Sequence, residues 1–214
     1  MAILEEKDRK KVSQILSEGM SGDVRLIVFT QEFECDFCKE TRMIAEELAS
    51  INGKIKVEKY DLVSNSDKAK EYSVERIPAI VVKGERTAGV HYFGIPSGYE
   101  FSGMLEDIID ASRGKTHLSR EIVDKVSKID KDVHIQVFVT PTCPYCPRAV
   151  RTAHQMAMIN PHIRADMVES MEFPELANKY EVMAVPKIVI NETVSFEGAL
   201  PEEQFLEYIE KALS

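Results

Sequence analysis

The residues best suited to chemistry are four cysteines in two pairs of one spacing, Cys35-Asp36-Phe37-Cys38 and Cys143-Pro144-Tyr145-Cys146. Two intervening residues let the second thiol of each pair reach back to the first, so each pair can open and close as a disulfide. The attacking species is the thiolate. It forms most readily at the first turn of a helix, where unpaired backbone N–H groups and the helix dipole favour a negative sulfur. Attack by Cys143 on a substrate disulfide, then by Cys146 on the mixed disulfide, reduces the substrate; the reverse order oxidises it. Zinc is the other chemistry open to paired thiols, but a zinc ribbon sets its pairs ~15–20 residues apart. Here they begin 108 apart. The histidines His91, His117, His134, His154 and His162 form no metal-ligand pattern.

The two pairs differ in surroundings. Glu32, Glu34 and Asp36 bring negative charge near Cys35, which Lys39 and Arg42 offset in part. No acid lies between Thr140 and Arg151, while Arg148 and Arg151 add positive charge. Neighbouring cations favour a thiolate and anions oppose it, so Cys143 is expected to be the more acidic thiol. The C-terminal pair is then the one that meets substrate disulfides, and the N-terminal pair is slower or relays electrons.

The elements that position these residues repeat along the chain. Arg76-Ile77-Pro78-Ala79-Ile80-Val81-Val82 matches Ala184-Val185-Pro186-Lys187-Ile188-Val189-Ile190, and Pro78 and Pro186 are again 108 apart. Motif, spacing and apolar run together indicate a tandem duplication. β-rich runs at 25–30 and 133–139 precede the cysteine pairs, and helical compositions at 41–50 and 149–159 follow them. Each half continues with a strand (55–60; 163–168), a short helix (67–72; 174–180), the strand after the proline and a second short strand (90–93; 193–196). It closes on an amphipathic helix (99–111; 201–213), and each half opens with a helix (5–16; 118–129). The order predicted is α-β-α-β-α-β-β-α, twice. The polar stretch 112–116 is the expected boundary, giving domains 1–114 and 115–214. Gly94, Gly98 and Gly103 fit a turn and helix start better than a nucleotide loop. Met156, Met158, Met167 and Met171 read as core or interface filler, and His154 as helix surface.

Composition narrows the class. The 214 residues are 44% hydrophobic and carry a net charge of -9 with a pI near 5.2, so a folded core is expected, and nucleic acid or anionic membrane is a poor partner. No stretch approaches the ~18 apolar residues of a membrane span. The opening MAILEEKDRK lacks the pattern of a secretory signal. The expectation is a soluble cytoplasmic protein.

A strand, a CxxC opening a helix, and a Pro-led strand 43 residues after the first cysteine resemble the thioredoxin fold. Two such units in tandem resemble the protein disulfide oxidoreductases, or glutaredoxin-like proteins, of thermophilic archaea and bacteria. The segments carrying the likeness are 138–147, 182–190 and 92–101. The resemblance implies an α/β fold of two tandem thioredoxin-like units, each a four-stranded mixed sheet flanked by helices. It implies dithiol–disulfide exchange on protein disulfides by Cys35, Cys38, Cys143 and Cys146, with no cofactor because the cysteines carry the electrons. It also implies cis peptide bonds before Pro78 and Pro186, so that Ile77 and Val185 offer backbone to an extended substrate strand, with Pro144 and Tyr145 facing it too. Client proteins with disulfides, a thioredoxin-reductase-type flavoprotein and a peroxiredoxin are the implied partners.

Two other readings stay open: an electron-relay pair of a peroxide-reducing system, and a non-enzymatic scaffold holding structural zinc. One departure from thioredoxin is visible. Its buried acid, six residues before the first cysteine, is replaced by Phe29 and Val137. Asp61 and Glu169 occupy equivalent places in the repeat and are candidates for proton transfer, although such positions more often hold solvated loop-edge acids. Lys187 lies either near the active sulfurs or toward solvent.

Overall fold

A computed structural model describes residues 3–31, 34–85, 87 and 89–214; Glu32, one of the acids expected near Cys35, lies outside them. The first half runs α1 (Glu6–Gly19), β1 (Val24–Thr30), α2 (Cys38–Ile51), β2 (Ile55–Asp61), α3 (Ser66–Glu71), β3 (Ala79–Gly84), β4 (Val90–Phe93) and α4 (Tyr99–Arg113). The second runs α5 (Arg120–Val126), β5 (Val133–Val139), α6 (Cys146–Ile159), β6 (Ile163–Glu169), α7 (Pro174–Lys179), β7 (Lys187–Ile190), β8 (Val194–Glu197) and α8 (Glu202–Leu213). The predicted order holds in both halves. Helices α2 and α6 begin three residues earlier than composition suggested, because each cysteine pair forms the turn that leads into its helix.

The two four-stranded halves do not stay separate. They merge into one eight-stranded sheet of order β2-β1-β3-β4-β6-β5-β7-β8. The seam is a parallel pairing of β4 with β6, with His91 opposite Asp166, Tyr92 opposite Met167 and Phe93 opposite Val168. All four residues of β4 are buried, so this strand cannot serve as a solvated edge. One apolar cluster runs the length of the sheet on one face, joining α1, α2, α4, α5, α6 and α8. A smaller one on the other face lies under α3 and α7. The core is therefore shared between the repeats.

The seam also holds buried charge. Asp166, on β6, accepts from His134 Nε2 at 2.6 Å and from Arg164 at 2.9 Å, and lies 3.4 Å from His91 Nδ1. Burial works against the Asp166 carboxylate, but these partners outweigh it and hold its pKa well below the usual range. Burial pushes the His91 pKa down, and its Nε2 meets the Tyr72 carbonyl at 2.8 Å.

Candidate active sites

Strands β1 and β5 point the same way across the sheet, so both cysteine pairs emerge at one sheet edge. Cys38 and Cys146 are the first residues of α2 and α6, capped by Phe37 and Tyr145. Both pairs are disulfide-bonded, with Cα atoms 5.5 Å apart in each. The second cysteine of each pair is fully buried, and of the first cysteines Cys35 is more open than Cys143. At the C-terminal pair, the Cys146 N–H donates to Cys143 Sγ at 3.2 Å. A negative sulfur formed on reduction would inherit this donor and the start of α6.

The cis peptide bonds that the resemblance implies are present. Ile77-Pro78 and Val185-Pro186 are both cis, and Cys143 Sγ lies 3.7 Å from the Val185 carbonyl oxygen. Pro144 and Tyr145 are exposed at the mouth of this site. Lys187 is turned away from the sulfurs: its ammonium donates to the Glu181 carbonyl at 3.0 Å.

Three expectations are corrected by burial. Arg151 does not lend its charge to Cys143. It is buried against α4, where its guanidinium pairs with Asp107, with Asp110 at 2.5 Å and with Glu106 at 3.1 Å. His154 is not helix surface but fully buried, its Nδ1 2.6 Å from Asp107 Oδ2. The Tyr92 hydroxyl donates to the same carboxylate. Burial opposes the charge on Asp107, yet His154 and Arg151 together keep its pKa below normal. Glu169 is no solvated edge acid either: it is buried, and burial raises its pKa. Neighbouring Glu172 is pushed by burial to about 7 and receives the Ile95 N–H at 2.7 Å. Asp61 does sit at a loop edge, its pKa lowered by the Ser64 and Val63 N–H groups. Of the methionines read as core or interface filler, Met156, Met158 and Met167 are in the core and Met171 is 76% exposed.

The thioredoxin comparison also shifts by one residue. β1 ends five positions before Cys35, while β5 ends four before Cys143. Register pairs Val28 with Lys59 and Val137 with Met167, so Val28, not Phe29, is the structural equivalent of Val137. An extra residue swaps the faces of a strand: Val28 and Val137 face the large core, and Phe29 faces the smaller one. Neither supplies an acid.

Helix α4 carries a buried acid instead. Glu100, in the first turn of α4, is 2% exposed, and neither of its carboxylate oxygens finds a hydrogen-bond partner. Burial first, and then the nearby Asp107 charge, raise its pKa to about 8. It is bracketed on α4 by two contacts with the C-terminal pair's own segment. The Tyr99 N–H donates to the Pro141 carbonyl at 3.2 Å, and a Cβ on Gly103 would lie 3.6 Å from that of Pro147. Gly98 makes the approach feasible, with φ 59° and a position where any Cβ would fall 2.1 Å from the Pro141 oxygen. Sequence reading missed Glu100 because it came from the other half. The available signal was spacing: Glu100, Asp107 and Asp110 occupy the same stripe of α4 as apolar Met104 and Ala111.

No described helix is long and apolar enough to cross a membrane. The thioredoxin domain family matches residues 133–211. A solved protein disulfide oxidoreductase from Aeropyrum pernix is 34% identical with a TM-score of 0.90, the match covering 99% of this chain and 95% of that one. The solved AhpF component of an alkyl hydroperoxide reductase from Enterococcus faecalis is 27% identical with a TM-score of 0.87, covering 96% of this chain and 99% of that chain. Among curated relatives, a Bacillus subtilis NADH dehydrogenase is 30% identical over 173 residues, 81% of this chain. The chain spans about a third of the length of the curated relatives it matches. Two CxxC disulfides on a continuous pair of thioredoxin folds, matched end to end by the Aeropyrum pernix enzyme, place the chain in the protein disulfide oxidoreductase family, whose chemistry is thiol–disulfide exchange.

Proposed function

We propose that the chain reduces, forms or isomerises protein disulfides, and that its C-terminal centre is the more reactive. The observation that carries this reading is the Cys143–Cys146 disulfide at the start of α6, with Cys143 Sγ 3.7 Å from the Val185 carbonyl oxygen and buried Glu100 on the helix whose Tyr99 N–H meets Pro141. In the reducing direction the Cys143 thiolate attacks a client disulfide held against the Val185 backbone, forming a mixed disulfide and releasing one client thiolate. Cys146 then gives its proton to Glu100 and attacks Cys143, closing the internal disulfide and releasing the second client thiolate. Two electrons leave the dithiol. Glu100 passes its proton on, so that two protons in all accompany them. At the N-terminal centre, Cys35 and Cys38 carry out the same exchange beside Ile77 and Pro78. A division near 112–116 remains our proposed domain boundary.

A second reading is favoured by the likeness to the peroxide-reductase component: the chain passes electrons from a flavoprotein of the thioredoxin-reductase type to a peroxiredoxin. Both readings use the same centres. A zinc site shared by the two pairs is disfavoured by geometry, since β1 and β5 are four strand spacings apart, or about 19 Å.

The test is reduction of a protein disulfide by full chain, by a Cys35→Ser/Cys38→Ser variant and by a Cys143→Ser/Cys146→Ser variant, with a flavoprotein reductase or dithiothreitol as donor. The expected result is loss of most activity with the second variant and retention with the first. Equal or reversed losses would overturn the ranking of the centres. Turnover confined to a peroxiredoxin would favour the relay.

A further inference from the structure

The two mouths are built on equivalent strands but with different residues. At the C-terminal centre, three neighbouring strands each bring one exposed apolar residue to the active edge. Met171 follows β6, Tyr145 follows β5 and Met183 precedes β7. They are 76%, 70% and 89% exposed. Scattered exposed apolar residues are ordinary, but three on adjacent strands around one reactive disulfide form a surface. Methionine suits such a surface because its unbranched, polarisable side chain adapts to varied partners.

The same positions in the first repeat are Val63 and Phe37, 77% and 42% exposed, and Glu75, so the two mouths differ at the third position and in charge. Glu75 is exposed and pairs loosely with Arg76 and Arg164, at 3.5 and 3.6 Å. Where the second centre has Thr142 and Pro144, the first has exposed acids, Glu34 and Asp36. Lys39, also exposed, offsets them in part. The second centre's exposed Arg148 gives its mouth the opposite sign.

We propose that the two centres divide clients by the residues flanking the client disulfide. The C-terminal centre docks extended segments with apolar flanks on Tyr145, Met171 and Met183, and the N-terminal centre takes segments with basic flanks. This rests on the oxidoreductase reading. The occupant is a client polypeptide because Tyr145 lies between the two cysteines and Met183 two residues before Val185, whose carbonyl oxygen is 3.7 Å from Cys143 Sγ.

The test uses two disulfide-linked peptides, identical except that leucines or lysines flank the cysteines. Single-turnover reduction is followed with the full chain and with each single-centre variant. The C-terminal centre should favour the leucine peptide by about tenfold, the scale of burying part of one methionine side chain. The N-terminal centre should favour the lysine peptide, and lose that preference between about 0.02 M and about 0.5 M salt as the acids are screened. Met183→Glu, at a site too exposed to cost folding, should bring the C-terminal preference close to one.

The same preference at both centres, or an unchanged ratio in Met183→Glu, overturns the division of clients while leaving the oxidoreductase reading intact. No exchange with either peptide overturns both. If the full chain proves dimeric and Met183→Glu makes it monomeric, the surface binds a second copy, and the client assignment fails.

Discussion

Replacing Glu100 by Gln separates the two consequences of a buried, unpartnered acid. Its pKa rises from 4.5 to about 8, with burial the larger cause. Below about pH 4.5 the carboxyl is neutral in both folded and unfolded chains and has no effect on stability. Between there and about pH 8 the unfolded chain has released this proton and the folded chain keeps it. The folded state then binds more protons, so stability falls as pH rises through this window and levels off above it. At about 1.4 kcal/mol per unit, the whole loss approaches 5 kcal/mol. Glutamine cannot ionise, so Glu100→Gln should track wild type near pH 4 and exceed it by several kcal/mol at pH 9 in urea denaturation of the oxidised protein.

Activity should move the other way. General-base assistance is worth roughly 10²–10⁴-fold, so the mixed disulfide at Cys143 should persist about 100-fold longer in Glu100→Gln at pH 8. Acid quenching and mass spectrometry of a single turnover would count it. Parallel stability curves for the two proteins, together with unchanged resolution of the mixed disulfide, would refute both the burial argument and the proton-acceptor role.

Asp107→Asn removes the charge that Arg151, His154 and Tyr92 all share, and breaking such a buried set costs about 3–5 kcal/mol; the urea midpoint reads it. Gly98→Ala forces a Cβ onto the Pro141 carbonyl, so the C-terminal centre should lose exchange rate while the N-terminal centre keeps its own, as the two single-centre backgrounds would show. Asp166 has a depressed pKa, so it contributes stability above the ordinary aspartate range that is lost as pH falls below about 4. Asp166→Asn should therefore be less stable at pH 7 and show a flatter acid limb in thermal melts between pH 2 and pH 5.

The features legible in the sequence were those fixed by local pattern. Each cysteine pair, the β-rich run before it and the Pro-led strand after it lie within 43 residues of one another, and their order transferred directly to the fold. Long-range pairing was not legible. Nothing in Val90-His91-Tyr92-Phe93 says that its free edge will meet Ile163–Glu169 rather than water, so two separate sheets were expected where one exists. Polar residues on buried stripes misled in a similar way. His154, Arg151 and Glu169 look like surface groups by type, yet all three are buried; the partners of His154 and Arg151 lie far away in sequence, and burial raises the pKa of Glu169. The Phe29 assignment failed for a smaller reason, a single extra residue in the loop after β1 that spacing from the cysteine could not reveal.

The merged sheet also decides how the two centres can cooperate. Exchange requires sulfurs to come within bonding distance, about 2 Å, yet β1 and β5 lie about 19 Å apart on the strand spacing alone. Sheet twist of some 20–25° per strand turns the two mouths away from each other as well. With β4 and β6 paired and one core beneath them, the centres are held apart, so direct exchange between them within one chain is not expected. The coupling that does exist runs through α4. This helix closes the first repeat, yet Tyr99 and Gly103, on either side of Glu100, meet the segment that holds Cys143 and Cys146. The first centre occupies the start of the repeat pair, where the chain preceding α2 is α1 and the residues before it, tied to α2 by Glu47 accepting from the Ile3 N–H at 2.6 Å and from Arg9 at 3.1 Å. Helix α4 thus joins the first repeat to the second centre, and a fragment beginning at residue 115 would leave Glu100 behind.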